Sequence, residues 1–297
     1  MAGTIGVVGL GNMGGGMAAN LLKAGFSVAV YDVRPEAAEP LIAAGARRAE
    51  SLRDLAAACD TALVMVLNFA QVREVVLGAD GLAAALAPGS TVIVSSTIAP
   101  DEARSLAAPL AGRGLRCLDA PVTGGKSGAE AGTLSIMVGG DREVFDAHQA
   151  MLAAMAANIY YCGPLGAGET AKMCNQLMAG VTLMATAECL TLAAAAGMDR
   201  RLLYEIITHG AGDCWMFRHR GARLVAGDDE VTSRLDIWPK DLGIVLDTAD
   251  KLHLPLLLAT AARQWAVMGV AAGHGADDDT AVARVMEQFA GVEVKAE

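Results

Sequence analysis

In the first half of the chain, short apolar runs rich in β-branched residues alternate with longer alanine-rich stretches of helical period. The runs TIGVVGL (4–10), SVAVYDV (27–33), TALVMVL (61–67), STVIVSS (90–96), RCLDAP (116–121) and LSIMVGG (134–140) predict strands, and NIYYCG (158–163) predicts a short one that closes the series. Nearly continuous apolar strands separated by helices imply a parallel sheet covered on both faces, so this part reads as a doubly wound α/β domain.

After GPLGAG (163–168) the strand pattern stops. One stretch without proline, 169–196, predicts a single helix about 42 Å long at about 1.5 Å per residue. It is apolar over most of its circumference, which predicts burial on several sides, against later helices and against a second subunit. Helical patterns near Arg200–His209, Trp215–Leu224, Pro239–Leu252 and Pro255–Gly273 make the remainder all-α. The expected division is a domain over 1–163 and an all-helical one over 164–297. No internal repeat or low-complexity linker interrupts them.

Composition narrows the class. At 297 residues, with 54% apolar but only 4% aromatic residues, the chain suits two domains of closely packed small side chains. A net charge of −10 argues against nucleic acid or any other polyanionic partner, so an anion site must be local. The apolar runs are broken by Gly, Asp and Arg before about 18 residues, which predicts no membrane span. The opening TIGVVGLG reads as a strand rather than a signal peptide, and the expected location is the cytoplasm. Six scattered cysteines without a C-x-x-C pair read as small core residues in a reducing compartment. Five histidines show no ligand spacing, and no metal is expected.

GLGNMG supplies Gly9, Leu10, Gly11, Asn12, Met13 and Gly14 in G-x-G-x-x-G spacing, directly after one strand and opening a helix that ends at Gly25. The next strand ends in Asp32, 18 residues after Gly14. That context is the dinucleotide fingerprint of a Rossmann-type domain. The first glycine makes the tight turn, the second admits the pyrophosphate, the third lets helix and strand pack, and the helix N-terminus faces the phosphates. Asp32 can accept hydrogen bonds from the ribose hydroxyls of NAD and repels a 2′-phosphate. Arg34 could bind that phosphate, so NADP stays as the less favoured cofactor.

GETAKMCNQLMAG, Gly168 to Gly180, places Lys172 on an apolar helix with no other formal charge before Glu188, and Asn175 and Gln176 follow one turn on. Spacing alone leaves two readings: a lysine stem reaching solvent beside a structural amide pair, or a site.

Four motifs together make the chain resemble the β-hydroxyacid dehydrogenase family over essentially its whole length. They are GLGNMGGGMAANLLKAG, DAPVTGGKSGAEAGTL (119–134), GAGETAKMCNQ (166–176) and KDLGIVLD (240–247). Thr123 stands where the family usually has serine. The resemblance implies that Lys172 is the catalytic lysine and that Asn175 holds the substrate. It further implies that Thr123, Gly124 and Gly125 bind the substrate carboxylate, and that Lys240 reaches substrate and nicotinamide. Leu67, Asn68 and Thr97 would contact the cofactor. NADP-using relatives end the second strand in Asn-Arg-Thr, whereas Val33 here replaces that arginine, which favours NAD. Lys126 reads as a surface charge, and Asp119 and Glu130 as structural.

The chemistry agrees with these roles. Oxidising an alcohol requires a hydride acceptor and a base for the hydroxyl proton, and burial lowers a lysine's pKa toward usefulness. HGAGDCWMFRHR (209–220) and DIWPKDLG (236–243) resemble the family's L-threonate-oxidising branch, with Asp213, Cys214, Trp238 and Pro239 as departures. Asp213 could accept hydrogen bonds from substrate hydroxyls, while Trp215 and Phe217 could equally pack the helical core. The expected activity is oxidation of a small carboxylate-bearing hydroxy acid, L-threonate-like, by a homodimer or homotetramer. A 3-hydroxyisobutyrate-type dehydrogenase, a tartronate-semialdehyde-type reductase and a non-catalytic dinucleotide binder are the alternatives.

Overall fold

Three four-residue strands with every residue buried, β1 (Ile5–Val8), β4 (Thr61–Val64) and β5 (Thr91–Val94), lie side by side in a nine-stranded sheet. β2 (Val28–Tyr31) and β3 (Arg47–Arg48) extend it on one side, β6 (Arg116–Asp119), β7 (Val122–Thr123), β8 (Leu134–Gly140) and β9 (Ala156–Gly163) on the other. The order is β3-β2-β1-β4-β5-β6-β8-β7, with β9 also paired to β8. The computed structural model describes residues 3–296 and falls into two compact units, Met1–Lys172 and Met173–Glu297.

Alternation along the strands sends Val7, Val30, Leu63, Ile93 and Leu118 into one core. Val8, Ala62, Val64, Val92 and Val94 enter a second. Both faces are therefore apolar, which is why the strands read as unbroken apolar runs. The strand order reverses between β1 and β4, and in such sheets ligands bind beyond the carboxyl ends of the strands at that point.

The sheet departs from the expected parallel arrangement at one end. β1 to β6 are parallel, but β8 runs antiparallel to both β6 and β7 and parallel to β9. Only ten residues separate Thr123 from Leu134, fewer than a parallel crossover requires. A short helix, Gly125–Ala131, fills that connection.

In the second unit, Leu183, Met184 and Ala187 of the long helix Ala167–Ala195 pack with Trp238 and Leu242 of Ile237–Lys251. Ala262 and Ala266 of Leu257–Gly269 and Met286 of Val282–Ala290 complete this core. A methyl group added at Gly180 would lie 2.9 Å from Leu242 Cδ2 and 3.1 Å from Trp238, so glycine sets the approach of these helices.

One expectation about the long helix needs correction. It is long and apolar enough to cross a membrane by length and composition, because alanine and glycine do not interrupt hydropathy as charges do. Within one chain it leaves Cys174, Met178, Ala185, Glu188 and Leu192 as an exposed stripe.

Candidate functional site

The chain leaves β1 through Gly9, whose φ of 87° favours glycine, and enters the helix Gly14–Lys23. A Cβ at Gly9 would sit 2.2 Å from the Met65 carbonyl oxygen, and one at Gly14 only 1.9 Å from that of Gly9. These two glycines are required by the turn itself. A Cβ on Gly11 would meet nothing within 4 Å, so the space above it is open to a ligand. Leu10, Asn12 and Met13 complete the turn.

Asp32 is tied into this turn. Its Oδ2 accepts the Leu10 N–H at 2.7 Å, and its Oδ1 accepts the Arg34 N–H at 2.9 Å and Arg34 Nε at 3.4 Å. Burial pushes the carboxyl up, but the Leu10 and Arg34 donors outweigh it and hold the group below the ordinary carboxylate value. The Asp32 side chain is 8% exposed and that of Arg34 60%. With four acceptor positions on the carboxylate, Oδ2 keeps capacity for a ribose hydroxyl. A cleft at the end of β2, lined by Asp32, Val33, Arg48 and Glu50 among others, adjoins it. Open backbone at Gly11 and an ionised, partly satisfied Asp32 beside a cleft fit an NAD molecule.

Beyond β4, Asn68 begins the helix Phe69–Leu77 and its side chain accepts the Gln71 N–H at 3.0 Å, while Leu67 N–H donates to Gln71 Oε1 at 2.9 Å. Leu67 is 56% exposed. The Asn68 side chain is thus committed to the cap. Thr97 follows Ser96, whose Oγ accepts the Val66 N–H at 2.8 Å and joins the loops after β4 and β5.

Thr123 ends β7, and Gly124 and Gly125, with φ of 126° and 65°, turn the chain into Gly125–Ala131. A Cβ on Gly125 would also meet open space. Asn20, which sequence reasoning passed over, locks this segment to the glycine-turn helix. Its Nδ2 donates to the carbonyls of Ala129 at 2.7 Å, Gly16 at 3.0 Å and Glu130 at 3.3 Å. The signal was a polar residue on the buried face of GGGMAANLLK. Lys126 is partly buried and Glu130 exposed.

Lys172 is 6% exposed and sits in the second turn of Ala167–Ala195. Asp119 at the end of β6 holds that helix's start: its carboxylate accepts the N–H groups of Gly166 and Glu169, each at 2.7 Å. Burial raises the Asp119 pKa despite these donors. Asp119 is thus a helix cap supplied from another element.

Past Lys172, Asn175 Nδ2 donates to Gln176 Oε1 at 3.0 Å, and Gln176 Nε2 donates to Asp241 Oδ2 at 2.5 Å. Lys240 Nζ lies 2.8 Å from Asp241 Oδ1. Asp241 is 3% exposed, so the Lys240–Asp241 pair is not the ordinary surface pair its sequence also allowed. Its position three residues after Trp238, on the apolar face, was the available signal.

In the 209–220 segment, both oxygens of Asp213 are held by Arg218 at 2.7 Å. Trp215 is 50% exposed and stacks on His219 with centroids 4.0 Å apart, whereas Phe217 is buried against Tyr204. Core packing therefore applies to Phe217 and not to Trp215. Burial and then Arg220 and Arg223 keep the His219 pKa below its ordinary value. Among the described residues no group of three or more His, Cys, Asp or Glu could hold a metal ion.

Comparison with known proteins covers the same two parts. Residues 4–163 match the family described as the NAD binding domain of 6-phosphogluconate dehydrogenase. Residues 166–286 match that described as NAD-binding of NADP-dependent 3-hydroxyisobutyrate dehydrogenase. An L-threonate dehydrogenase of Cupriavidus necator is 44% identical over 99% of this chain and 98% of its own. An NAD-dependent L-serine dehydrogenase of Pseudomonas aeruginosa is 44% identical over 71% of each. The crystal structure of a 3-hydroxyisobutyrate dehydrogenase from Salmonella typhimurium superimposes with a TM-score of 0.89 at 42% identity, covering 96% of this chain and all of that one.

Proposed function

Since the chain belongs to the β-hydroxyacid dehydrogenase family, which includes 3-hydroxyisobutyrate dehydrogenase, we propose that it oxidises a small hydroxy acid, L-threonate or a close relative, to the keto acid. The observation that carries the mechanism is a lysine only 6% exposed, on a helix anchored by Asp119, with Asn175 one turn beyond.

Bound NAD supplies the hydride acceptor for the carbinol carbon. The chain's own residues do the rest. Lys172 takes the hydroxyl proton as the carbonyl forms, and its ammonium returns it in the reverse direction. Asn175 holds the substrate, and Thr123 with the backbone N–H groups of Gly124 and Gly125 binds its carboxylate. Lys240 adds a positive charge for substrate and cofactor. Leu10, Asn12 and Met13 line the pyrophosphate turn with Gly9, Gly11 and Gly14. Asp32 selects NAD over NADP, and Leu67, Asn68 and Thr97 border the cofactor. The proposed domains are 1–163 for the dinucleotide and 164–297 for substrate and assembly.

A polyhydroxy substrate is favoured over a methyl-branched one by the likeness to L-threonate dehydrogenases along nearly the full chain. Initial rates with NAD against C3 to C5 hydroxy acids test this. A preference for 3-hydroxyisobutyrate would overturn the substrate, and Lys172→Ala turnover near that of the wild type would overturn the mechanism. NADH binding should survive Lys172→Ala.

The protein is also proposed to be a cytoplasmic homo-oligomer. Six free cysteines suit a reducing compartment. The exposed stripe with Met178 and Leu192, 62% and 71% exposed, is apolar surface that a second copy would cover. A monomer by light scattering at micromolar concentration would refute this.

A further inference from the structure

We propose that Gln176 is a positioning residue for the reaction: its carboxamide, clamped by Asp241, fixes which end of the Asn175 amide is offered to the substrate. The inference rests on the reading that Asn175 holds the hydroxy acid.

An amide side chain can present either its oxygen or its NH2, and the two orientations have nearly the same shape. Asp241 removes that freedom. A carboxylate only accepts, and the Lys240 ammonium lies 2.8 Å from its Oδ1. The group facing Asp241 Oδ2 must therefore be the Gln176 NH2, at 2.5 Å. Gln176 then turns Oε1 to its other side, where that oxygen accepts from Asn175 Nδ2 at 3.0 Å. Asn175 is left with Oδ1 as its acceptor end, suited to a substrate hydroxyl. A carboxylate 65 residues away in sequence thus sets the polarity of the amide beside the catalytic lysine.

The surroundings hold the clamp in place. Gln176 is 8% and Asp241 3% exposed, so a lost bond is not replaced by bulk water. One turn beyond Gln176, Gly180 admits Trp238 and Leu242, which lie on the same helix as Asp241. The charged groups next to the clamp in sequence or by contact are Lys240 and Asp241 themselves, Lys172 one turn earlier on the long helix, and Arg263, whose Nε donates to the Pro239 carbonyl; the same two helices also carry Glu169, Glu188, Asp247, Asp250 and Lys251.

The test compares wild type, Gln176→Leu, Gln176→Glu and the double variant Gln176→Glu/Asp241→Asn. It follows L-threonate oxidation and, separately, melting temperature from pH 5 to 8. Gln176→Leu should raise KM for L-threonate about tenfold or more, with NADH affinity within about twofold of wild type. In Gln176→Glu the two carboxyls share one proton, which serves the same two bonds. Both KM and melting temperature should approach wild type at low pH and worsen as pH rises. The double variant reverses the donor and acceptor at the clamp, so the added pH dependence should disappear.

Gln176→Glu melting with the same pH profile as wild type would overturn the clamp. A pH-dependent melt with unchanged KM would overturn the positioning role. A wild type inactive on every hydroxy acid tried would overturn the functional reading and the positioning role with it, while the melting series still judges the clamp.

Discussion

Asp119 and Glu169 are joined by a 2.7 Å hydrogen bond from the Glu169 N–H to Asp119 Oδ2, which fixes the first turn of the lysine-bearing helix to the sixth strand. Lys172 lies three residues beyond Glu169 on that helix. Replacing Asp119 by Ala leaves two buried N–H groups without acceptors, at about 1–3 kcal/mol each. The melting temperature should fall and kcat with it. Asp119→Asn keeps one acceptor oxygen and should fall between. An Asp119→Ala variant with unchanged melting and kcat would contradict the anchor.

Gly11, proposed to face the cofactor, and Gly16 should separate binding from packing. A methyl at Gly11 meets open space, whereas one at Gly16 would lie 2.7 Å from the Ala129 carbonyl carbon. Gly11→Ala should melt like wild type but bind NADH at least tenfold more weakly. Gly16→Ala should lose about 1–3 kcal/mol by overpacking against backbone. Calorimetric titration and thermal melts distinguish the two.

Asp32 and Arg34 are the residues proposed to govern cofactor choice. Asp32→Asn removes the charge that repels a 2′-phosphate and loosens the contact that occupies Arg34. The ratio of kcat/KM with NADP to that with NAD should rise at least tenfold, about 1.4 kcal/mol. An unchanged ratio would show that Asp32 does not select the cofactor.

Asp278 and Asp279 should give opposite pH slopes to stability. Burial opposes ionisation of Asp278, but the Thr232 N–H, Arg223 and the Ser233 N–H bring it down to about 2 from 3.8. That stabilisation is present above about pH 4 and is lost as pH falls toward 2. Burial pushes Asp279 up to about 6 despite Arg220 and Trp238. The folded state then holds the proton more tightly, so stability declines as pH rises from about 4 to 6. Urea midpoints across pH should show Asp278→Asn flattening the acid limb and Asp279→Asn removing the decline.

Much was determined by the sequence itself. The glycine turn, Asp32 at the end of the second strand, the buried strands and the long helix all follow from local rules, because turn geometry, side-chain period and strand propensity act over a few residues. Lys172 and Asn175 share a helix face for the same reason. Only the tertiary structure decided the antiparallel entry of β8, the Asp119 anchor, the Asn20 lock and the Gln176–Asp241 clamp. It also decided that Asp241 is buried while Trp215 is half-exposed. Each depends on how close two distant elements approach and at what angle. The hydrogen bonds concerned span 47 to 110 residues of chain. Local propensity carries no information about such a meeting, which is set by the packing of cores around small residues such as Gly16 and Gly180.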